Sequence, residues 1–296
     1  MKNINLQVQS VLYKTEKKDI FRSLESRIAA AKYAGIDLTL AFGDASPQPL
    51  FTDGEIDELK SKYHQDAKLT YEFFDENTGH GRGQNLLARN KKSGYLMFLN
   101  PDVVIAPDAF SELLKPFEDA NGNIGITEAK QVPFEHPKEY NRNTGETSWA
   151  SGGCMFIEAE LFWEVGGFDE IFFMQCDDVD ISWRVRLTGK KVIYCPTALV
   201  FHDKRLSATY AQWVASEAES QYAVEAFLLM SRKWSRPDLT MAAIALYKAS
   251  NNENHKKALD AYDKLKAEER LPTPIDPRHK VSEFIKFNYG KMRFTM

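Results

Sequence analysis

The first half of the chain alternates short apolar runs with amphipathic helical patterns. The strand-like runs, each followed by a helical segment or a polar turn, read LQVQSVLY, DLTLAFGD, KLTYEFFD and YLMFL. Strands that alternate with helices predict an α/β fold, in which a mainly parallel sheet is flanked by helices. Such sheets bind their ligands at the carboxyl ends of the strands. Functional side chains are therefore expected at those ends.

The pattern changes near residue 205, where strand-like runs give way to helical ones. Segments ending in FLLMSRKW, ALYKAS and KLKAEER have helical periodicity, and LPTPIDP indicates a hinge before the tail. We therefore predict an α/β domain over residues 1–204 and a helical C-terminal region over residues 205–296. Between the strand-like runs IGITEAKQV and WASGGCMFI, the polar segment PFEHPKEYNRNTGETS is long enough to be a binding loop or lid.

The composition excludes several classes of protein. Of the 296 residues, 43% are hydrophobic, and the net charge of −4 gives no general attraction for nucleic acid. Three cysteines without CxxC spacing argue against a zinc cage or a disulfide framework and favour a reducing, cytoplasmic setting. No stretch approaches the roughly 18 uninterrupted apolar residues that span a bilayer. We expect a soluble protein that is at most peripheral to the inner face of the cell membrane.

Two polar side chains follow apolar strands and are candidate metal ligands. Asp102 comes directly after YLMFLNP, where a carboxylate can coordinate a divalent cation that is bound to phosphates. Asn-Pro-Asp is also a common turn sequence, so this position alone does not establish a site. His202 ends the run TALVFH, where a neutral imidazole can complete a metal site or simply satisfy a strand end.

The segment NTGHGRGQN has glycines at alternate positions before a helical pattern. Gly79, Gly81 and Gly83 would let the backbone approach a ligand closely and direct a helix N-terminus at a phosphate. The spacing matches neither GxGxxG nor the P-loop pattern, so a flexible loop remains the alternative. His80, within this segment, and His136 lie in predicted loops, where the sequence assigns them no role.

The segment MQCDDVDISWR places three carboxylates directly after the apolar run IFFM. Asp177 fits the N-cap of the following helix, and Asp180 fits a capping-box position from which it can pair with Arg184. Asp178 is left without a structural role. The helix dipole favours its ionised form, whereas Asp177 and the apolar run raise its pKa. These opposed influences suit a general base.

Several of these pieces together resemble a known family. YLMFLNPDV, SGGCMFI and EVGGFDEIFFMQCDDVDISWRVRLTGKKVIYCPTALVFH are similar to the core of family 2 glycosyltransferases with the GT-A fold, particularly the rhamnosyl- and galactofuranosyltransferase branch. The likeness covers roughly residues 4–203. It implies inverting transfer of a sugar from a nucleoside-diphosphate sugar, such as dTDP-rhamnose or a UDP-hexose, to a glycan or lipid-linked acceptor in cell-surface polysaccharide assembly.

The resemblance also implies residue roles. Asp178 corresponds to the catalytic base, and Asp102 with His202 corresponds to ligands of Mn²⁺ or Mg²⁺. Positions expected near the acceptor are Asp177, Trp149, Gly152 and Gly153. Positions expected near the nucleotide-sugar are Tyr13, Asp44, Asn77, Gly79, Gly83, Asn85, Asn100 and Asp102.

One segment departs from the family pattern. Members commonly have DNGS after the second strand, where an aspartate helps to hold the nucleotide base. This chain has FGDAS, so that Gly43 takes the place of the aspartate and Asp44 follows one residue later. Either Asp44 reaches the base through a shifted backbone, or the base is held elsewhere.

Two other functions use similar residues. A nucleotidyltransferase would also combine an α/β sheet, a metal and carboxylates, but SVLYKTEKKD lacks the glycine-rich loop expected after its first strand. A carbohydrate-binding protein without catalytic activity would leave the spacing of Asp102, Asp178 and His202 unexplained. Release of a nucleoside diphosphate separates these alternatives from a glycosyltransferase.

The end of the chain, PRHKVSEFIKFNYGKMRFTM, combines basic and aromatic residues. This composition fits an interfacial anchor near a lipid-linked acceptor. The alternative is a terminal helix that docks on the protein itself or on another subunit of a homo-oligomer. The basic residues are Arg278, Lys280, Lys286, Lys291 and Arg293, and the aromatic ones are Phe284, Phe287, Tyr289 and Phe294.

Overall fold

A computed structural model describes residues 4–119, 123–202 and 215–293. Eight strands form one sheet in the order β3-β2-β1-β4-β7-β6-β8-β5. The strands are β1 (Asn5–Leu12), β2 (Asp37–Asp44), β3 (Lys68–Phe73), β4 (Tyr95–Leu99), β5 (Val104–Ile105), β6 (Ile124–Val132), β7 (Cys154–Glu158) and β8 (Lys191–Phe201). The helices are α1 (Lys17–Ala34), α2 (Asp53–Tyr63), α3 (His80–Ala88), α4 (Ala109–Asp119), α5 (Ala159–Glu164), α6 (Asp177–Leu187), α7 (Glu217–Lys233), α8 (Pro237–Lys248) and α9 (Glu253–Ala267).

The sheet confirms the α/β class, but it is mixed. Strands β1 to β4 pair in parallel, as the alternating pattern predicts, and β6 pairs in parallel with β8. Strand β7 runs antiparallel to both β4 and β6. It thereby joins the parallel group β1 to β4 to the parallel pair of β6 and β8. The run KVIYCPTALVF forms the one long strand β8, with register shifts where it pairs with β6.

The short strand β5 determines what lies at one end of the sheet. It pairs antiparallel with the end of β8, with Val104 opposite Phe201. Because β5 and β8 run in opposite directions, the residues before β5 lie beside the residues after β8. Asp102 therefore comes next to His202. Two residues 100 positions apart in sequence thus meet through one two-residue strand.

The C-terminal helices pack on α6. Trp183 and Val179 of α6 share an apolar cluster with Phe227 of α7, Tyr247 of α8 and Tyr262 of α9. Helix α7 begins with a capping box between Ser216 and Glu219. The predicted domain boundary at residue 204 lies outside the described residues. Within the described part of the chain, no helix is both long and apolar enough to cross a bilayer.

The tail beyond α9 docks on the protein, although its described residues contain no helix. Phe284 and Tyr289 pack around Trp183. Arg293 pairs with Glu135 at 3.1 Å and donates to the carbonyl of His136 at 2.8 Å. The loop predicted as a lid is therefore fastened to the tail. Phe294 lies outside the described residues.

Candidate active site

Helix α6 begins at Asp177, one residue earlier than an N-cap aspartate would require. The N-cap is Cys176, in the left-handed conformation at φ 66°, with no side-chain cap. The prediction of Asp177 as N-cap is therefore wrong. Gln175 also has a positive φ of 71°. Two consecutive non-glycine residues in this sparsely populated region are a local strain of the kind that accompanies functional sites.

Asp178 lies in the first turn of α6 and faces the loop 149–153. Its Oδ2 accepts a hydrogen bond from the backbone N–H of Gly152 at 2.9 Å, and its Oδ1 accepts one from Val179 at 2.8 Å. Burial, and secondly the charge of Asp177, raise the pKa of Asp178 to about 6. A carboxylate with this pKa is ionised near neutral pH and still binds a proton readily, as a general base must.

Asp177 points to a different partner, His80 at the start of α3. The Nδ1 atom of His80 lies 2.5 Å from Oδ2 of Asp177. Burial alone would lower the pKa of His80, but the carboxylates of Asp177 and Asp178 raise it above its ordinary value. The glycine-rich segment gave no sign of this contact, because the partner lies 97 residues away.

Gly152 separates His80 from Asp178. A Cβ atom at this position would lie 3.1 Å from Cε1 of His80 and 3.3 Å from Cβ of Asp178. Only a residue without a side chain lets the two groups approach the same loop without displacement. The structure therefore brings together Gly152, Asp177 and Asp178, as expected, and adds His80.

The glycine-rich segment packs tightly before α3. Gly79 has φ 68°, and a Cβ there would lie 2.2 Å from the carbonyl oxygen of Phe173, so glycine is required. A Cβ at Gly83 would collide with Val11 at 2.7 Å. Asn77 is exposed and accepts a hydrogen bond from the N–H of Gly79 at 3.2 Å. The predicted contact of these residues with a nucleotide-sugar stays a prediction.

The side chain of Asn85 forms hydrogen bonds within the protein. Its side chain donates to the carbonyl of Phe168 at 2.9 Å and accepts from the N–H of the same residue at 2.9 Å. A third hydrogen bond reaches Glu170 at 3.1 Å. These contacts hold the loop before α6 rather than directing the amide to the carboxyl end of the sheet. Its contact with the donor stays a prediction.

Asp102 and His202 form a buried pair. Nε2 of His202 lies 3.2 Å from Oδ2 of Asp102, and the side chains are 6% and 2% exposed. Nδ1 of His202 lies 3.1 Å from Oε1 of Gln131, and the amide of Gln131 donates to Ser151 at 3.3 Å. Because Oε1 of Gln131 can only accept, Nδ1 of His202 donates to it, and Nε2 is the ring nitrogen that faces Asp102. The sequence did not indicate a role for Gln131, because its neighbours in β6 give no sign of a site and its partner His202 lies 71 positions away.

The donor set of this pair fits a divalent cation in part. A carboxylate oxygen and an imidazole nitrogen are both ordinary metal ligands. Across residues 4–119, 123–202 and 215–293, no three His, Cys, Asp or Glu side chains come together as a complete metal cage. Two protein ligands leave room for phosphate oxygens and water, which is the usual arrangement where a cation is bound together with a phosphorylated substrate.

Asp44 is fully buried at the end of β2. Its carboxylate accepts hydrogen bonds from the N–H groups of Ser46 at 3.0 Å and Leu50 at 2.7 Å, and from the hydroxyl of Tyr71 at 2.5 Å. These bonds fix the turn after β2. The FGDAS departure thus places a structural aspartate here, and recognition of the base by Asp44 stays a prediction.

The remaining predicted positions differ in accessibility. Tyr13 is 45% exposed at the end of β1. Trp149 is 7% exposed, and its ring lies under the ammonium of Lys138 at 4.2 Å, so its described contacts are within the protein. A Cβ at Gly153 would lie 3.4 Å from Nδ2 of Asn100. The expected contacts of these four residues with donor or acceptor stay predictions.

One cation beside the Asn100 turn was not predicted. Arg27 of α1 is fully buried and donates to the carbonyl of Asn100 at 3.1 Å. Burial lowers its pKa to about 9, whereas Asp102 opposes that shift. Burying a cation costs free energy, and the hydrogen bond to Asn100 and the charge of Asp102 offset part of that cost.

Asp180 connects α6 to the C-terminal region. Its predicted pairing with Arg184 is confirmed at 2.8 Å. The other carboxylate oxygen contacts Lys233 at 2.7 Å and accepts a hydrogen bond from Nε1 of Trp234 at 3.1 Å. Asp180 is 0% exposed, so these three partners compensate a fully buried charge.

Part of the chain matches the model of a known protein family. Residues 51–181, which include α3, the Asn100–Asp102 turn and the start of α6, match the family model "Glycosyl transferase family 2". This part of the chain is similar to family 2 glycosyltransferases. The resemblance seen in the sequence is thereby confirmed.

Two curated relatives are similar to parts of the chain. An N-acetylglucosaminyl-diphospho-decaprenol L-rhamnosyltransferase of Mycobacterium tuberculosis is 43% identical over 19% of this chain and 18% of the relative. Rhamnosyltransferase WbbL of Escherichia coli is 26% identical over 36% of this chain and 52% of the relative. The chain thus matches about half or less of the length of these relatives.

A solved structure shares the fold of this chain. The crystal structure of GalNAc-T7 with UDP, GalNAc and Mn²⁺ superposes with a TM-score of 0.62 at 14% identity, over 92% of this chain and 55% of that one. The expected GT-A fold is thereby confirmed.

Proposed function

We propose that this chain is an inverting glycosyltransferase that moves a sugar from a nucleoside-diphosphate sugar to a hydroxyl group of a glycan or lipid-linked acceptor. Residues 1–204 would carry the transfer, and residues 205–296 would support α6. Two relatives named as rhamnosyltransferases favour dTDP-rhamnose as the donor, with a UDP-hexose as the alternative, and a role in cell-surface polysaccharide assembly.

The observation that carries this proposal is the environment of Asp178. It combines a raised pKa of about 6 with a fixed orientation against the N–H of Gly152. Its neighbours Asp177 and Asp180 are each engaged by another partner, His80 and Arg184 respectively. Of the three carboxylates at the start of α6, Asp178 is the one without an ion pair of its own among the described residues, and it is the one suited to accept a proton.

The chemistry follows from that position. The acceptor hydroxyl oxygen forms a bond to the anomeric carbon of the donor sugar, and Asp178 takes the hydroxyl proton as that bond forms. The bond between the anomeric carbon and the diphosphate oxygen breaks on the opposite face, and its electrons leave with the nucleoside diphosphate. The anomeric configuration is therefore inverted.

Asp102 and His202 are the residues that would hold Mn²⁺ or Mg²⁺. Their separation of 3.2 Å, their burial and the contact of His202 with Gln131 support this assignment. A cation bound there would offset the negative charge that builds on the departing diphosphate. The Mn²⁺ in the GalNAc-T7 crystal is consistent with a divalent cation in this fold.

Peripheral contact with a membrane is a further part of the proposal. Most of the basic and aromatic tail is docked, but Ile285 and Phe287 are 38% and 49% exposed on either side of Lys286. Their turn, closed by hydrogen bonds between Ile285 and Asn288, projects apolar side chains beside a cation, as interfacial segments do. Co-sedimentation of the protein with anionic liposomes, lost in the double variant Ile285→Ser with Phe287→Ser, is the expected result.

A donor screen tests the proposed function. Purified protein is incubated with Mn²⁺ and UDP-, dTDP- or GDP-sugars, with and without a polyprenyl-diphosphate-linked acceptor, and nucleoside diphosphate release is measured. We expect acceptor-dependent release from one donor class. Transfer of a nucleotidyl group with release of diphosphate would instead identify a nucleotidyltransferase, and saturable glycan binding without release would identify a binding protein.

A further inference from the structure

His80 contacts both functional parts of the start of α6. Its Nδ1 lies 2.5 Å from Asp177, and its ring lies against the backbone of Gly152, whose N–H binds Asp178. The side chain is 23% exposed, and its other ring nitrogen lies 3.3 Å from the amide of Gln84. The ring also packs edge-on against Phe168, with 5.6 Å between centroids.

The two neighbouring carboxylates of α6 are directed to different elements. Asp177 turns towards α3, where its Oδ2 lies 3.3 Å from the position that a Cβ of Gly81 would take. Asp178 turns towards the loop 149–153, where it binds Gly152. Without a partner on α3, two adjacent negative charges in the same helical turn would compete for the same proton. His80 is the group that separates them.

We propose that His80 is a positioning residue of this site, which holds Asp177 on α3 so that Asp178 alone accepts the proton of the acceptor hydroxyl. The inference rests on the proposed function, because it assigns how the base is selected. It gives the histidine of NTGHGRGQN a role that acts through Asp177 and not through contact with substrate. Within the described part of the chain, Asp177 and Asp178 of α6 are the charged groups that act on the His80 ring, and its uncharged neighbours are Gln84, Phe168 and Gly152.

Two substitutions of His80 separate the hydrogen bond from ring packing. His80→Phe keeps an aromatic ring against Phe168 but removes the hydrogen bond. His80→Asn places an amide N–H where Nδ1 lies and keeps the hydrogen bond without the ring. If His80 positions Asp177, the phenylalanine variant loses kcat by about 10- to 100-fold, because misplacement of a reacting group has effects of that size. The donor KM should stay unchanged, and the asparagine variant should recover kcat to within about threefold of the wild type.

A double-mutant cycle with Asp177→Asn tests whether His80 acts through Asp177. In the Asp177→Asn background, His80→Phe should have little further effect on kcat, because the partner is already altered. His64→Phe is the matched control, since His64 is an exposed histidine on the far end of α2. Independent, additive effects of His80→Phe and Asp177→Asn, or wild-type kcat in His80→Phe, would overturn the proposal.

A measurement without turnover keeps this inference separate from the proposed function. Nitrogen-15 NMR of the histidine rings reports the His80 pKa in the intact protein. The His80 pKa should lie above its ordinary value and should fall in Asp177→Asn. An unchanged His80 titration in Asp177→Asn would refute the pairing itself. A normal NMR result in a protein that fails the donor screen would refute only the proposed function.

Discussion

Among the described residues, two buried aspartates each pair with a histidine, and the two pairs differ in geometry. Asp102 meets Nε2 of His202 at 3.2 Å, and Asp177 meets Nδ1 of His80 at 2.5 Å. Both pairs adjoin the loop 149–153, the first through Gln131 and Ser151 and the second through Gly152. The same two residue types can thus serve two purposes, because which ring nitrogen faces the carboxylate depends on the partner of the other nitrogen.

In the proposed mechanism, one pair serves the leaving group and the other serves the attacking hydroxyl. His202, oriented by Gln131, faces Asp102 with Nε2, and an imidazole nitrogen beside a carboxylate suits a cation. His80 engages Asp177, so that Asp178 is the proposed base.

Removal of the base should have the largest effect. Asp178→Asn keeps the shape and the contact with Gly152 but cannot accept the proton, so kcat should fall by about a thousandfold. Binding of the donor, measured by calorimetry, should survive. Asp263→Asn, an exposed change on α9, serves as control. Near-normal turnover by Asp178→Asn would show that the base lies elsewhere.

Removal of the carboxylate from the other pair should affect donor binding. Asp102→Ala should weaken Mn²⁺-dependent binding of the donor by about a hundredfold, because charge compensation by a metal is worth several kcal/mol. Binding is measured by calorimetry with and without Mn²⁺, and Asp57→Ala, with a side chain that is 77% exposed, is the control. Unchanged affinity that still depends on metal would exclude Asp102 as a ligand.

The pH dependence of kcat should report the ionisation of Asp178, the proposed base. Asp178 acts in its ionised form, so kcat should be constant above its pKa of about 6 and fall as pH decreases through that value. Between pH 7 and pH 5 the ionised fraction falls roughly tenfold for a single group. The profile is measured at saturating donor and acceptor. A limb near pH 4, the ordinary range of an aspartate, would contradict the raised pKa.

The smallest effect is expected from the residue that turns His202. Gln131→Met removes the acceptor of the Nδ1 proton and should weaken Mn²⁺ binding by about tenfold, as loss of an outer partner does. Gln131→Glu keeps an acceptor and should bind Mn²⁺ at least as well as the wild type. Electron paramagnetic resonance titration of free Mn²⁺ measures both. Equal affinity in Gln131→Met and the wild type would remove Gln131 from the metal site.

Local patterns predicted the order of the strands and helices of the first half, because apolar periodicity records burial directly. The acidic segment also showed where α6 begins to within one residue. The placement of Asp102 beside His202 depends on the pairing of β5 with β8, which a two-residue strand does not reveal. The resemblance to the family predicted that Asp102 and His202 lie close together, because it implies that both bind the same cation.

Contacts across the fold were the part that the sequence did not reveal. His80 and Gln131 look ordinary in their own segments, and their roles depend on partners 97 and 71 positions away. Asp44 was expected near the nucleotide base, and its hydrogen bonds reach Ser46 and Leu50 in the turn after β2 and Tyr71 of β3. An aspartate in a turn can bind a ligand or fix the turn itself, and only the direction of its carboxylate distinguishes these two functions.

The burial of Asp180 has a consequence for how such proteins can be recombined. Its charge is compensated partly by Lys233 and Trp234, which belong to the C-terminal region, while its own backbone forms the helix that carries the base. A chimera that exchanged residues 205–296 for those of another enzyme would keep Asp180 but lose both partners. Helix α6 and the C-terminal region behind it would therefore have to be exchanged together for Asp180 to keep its partners.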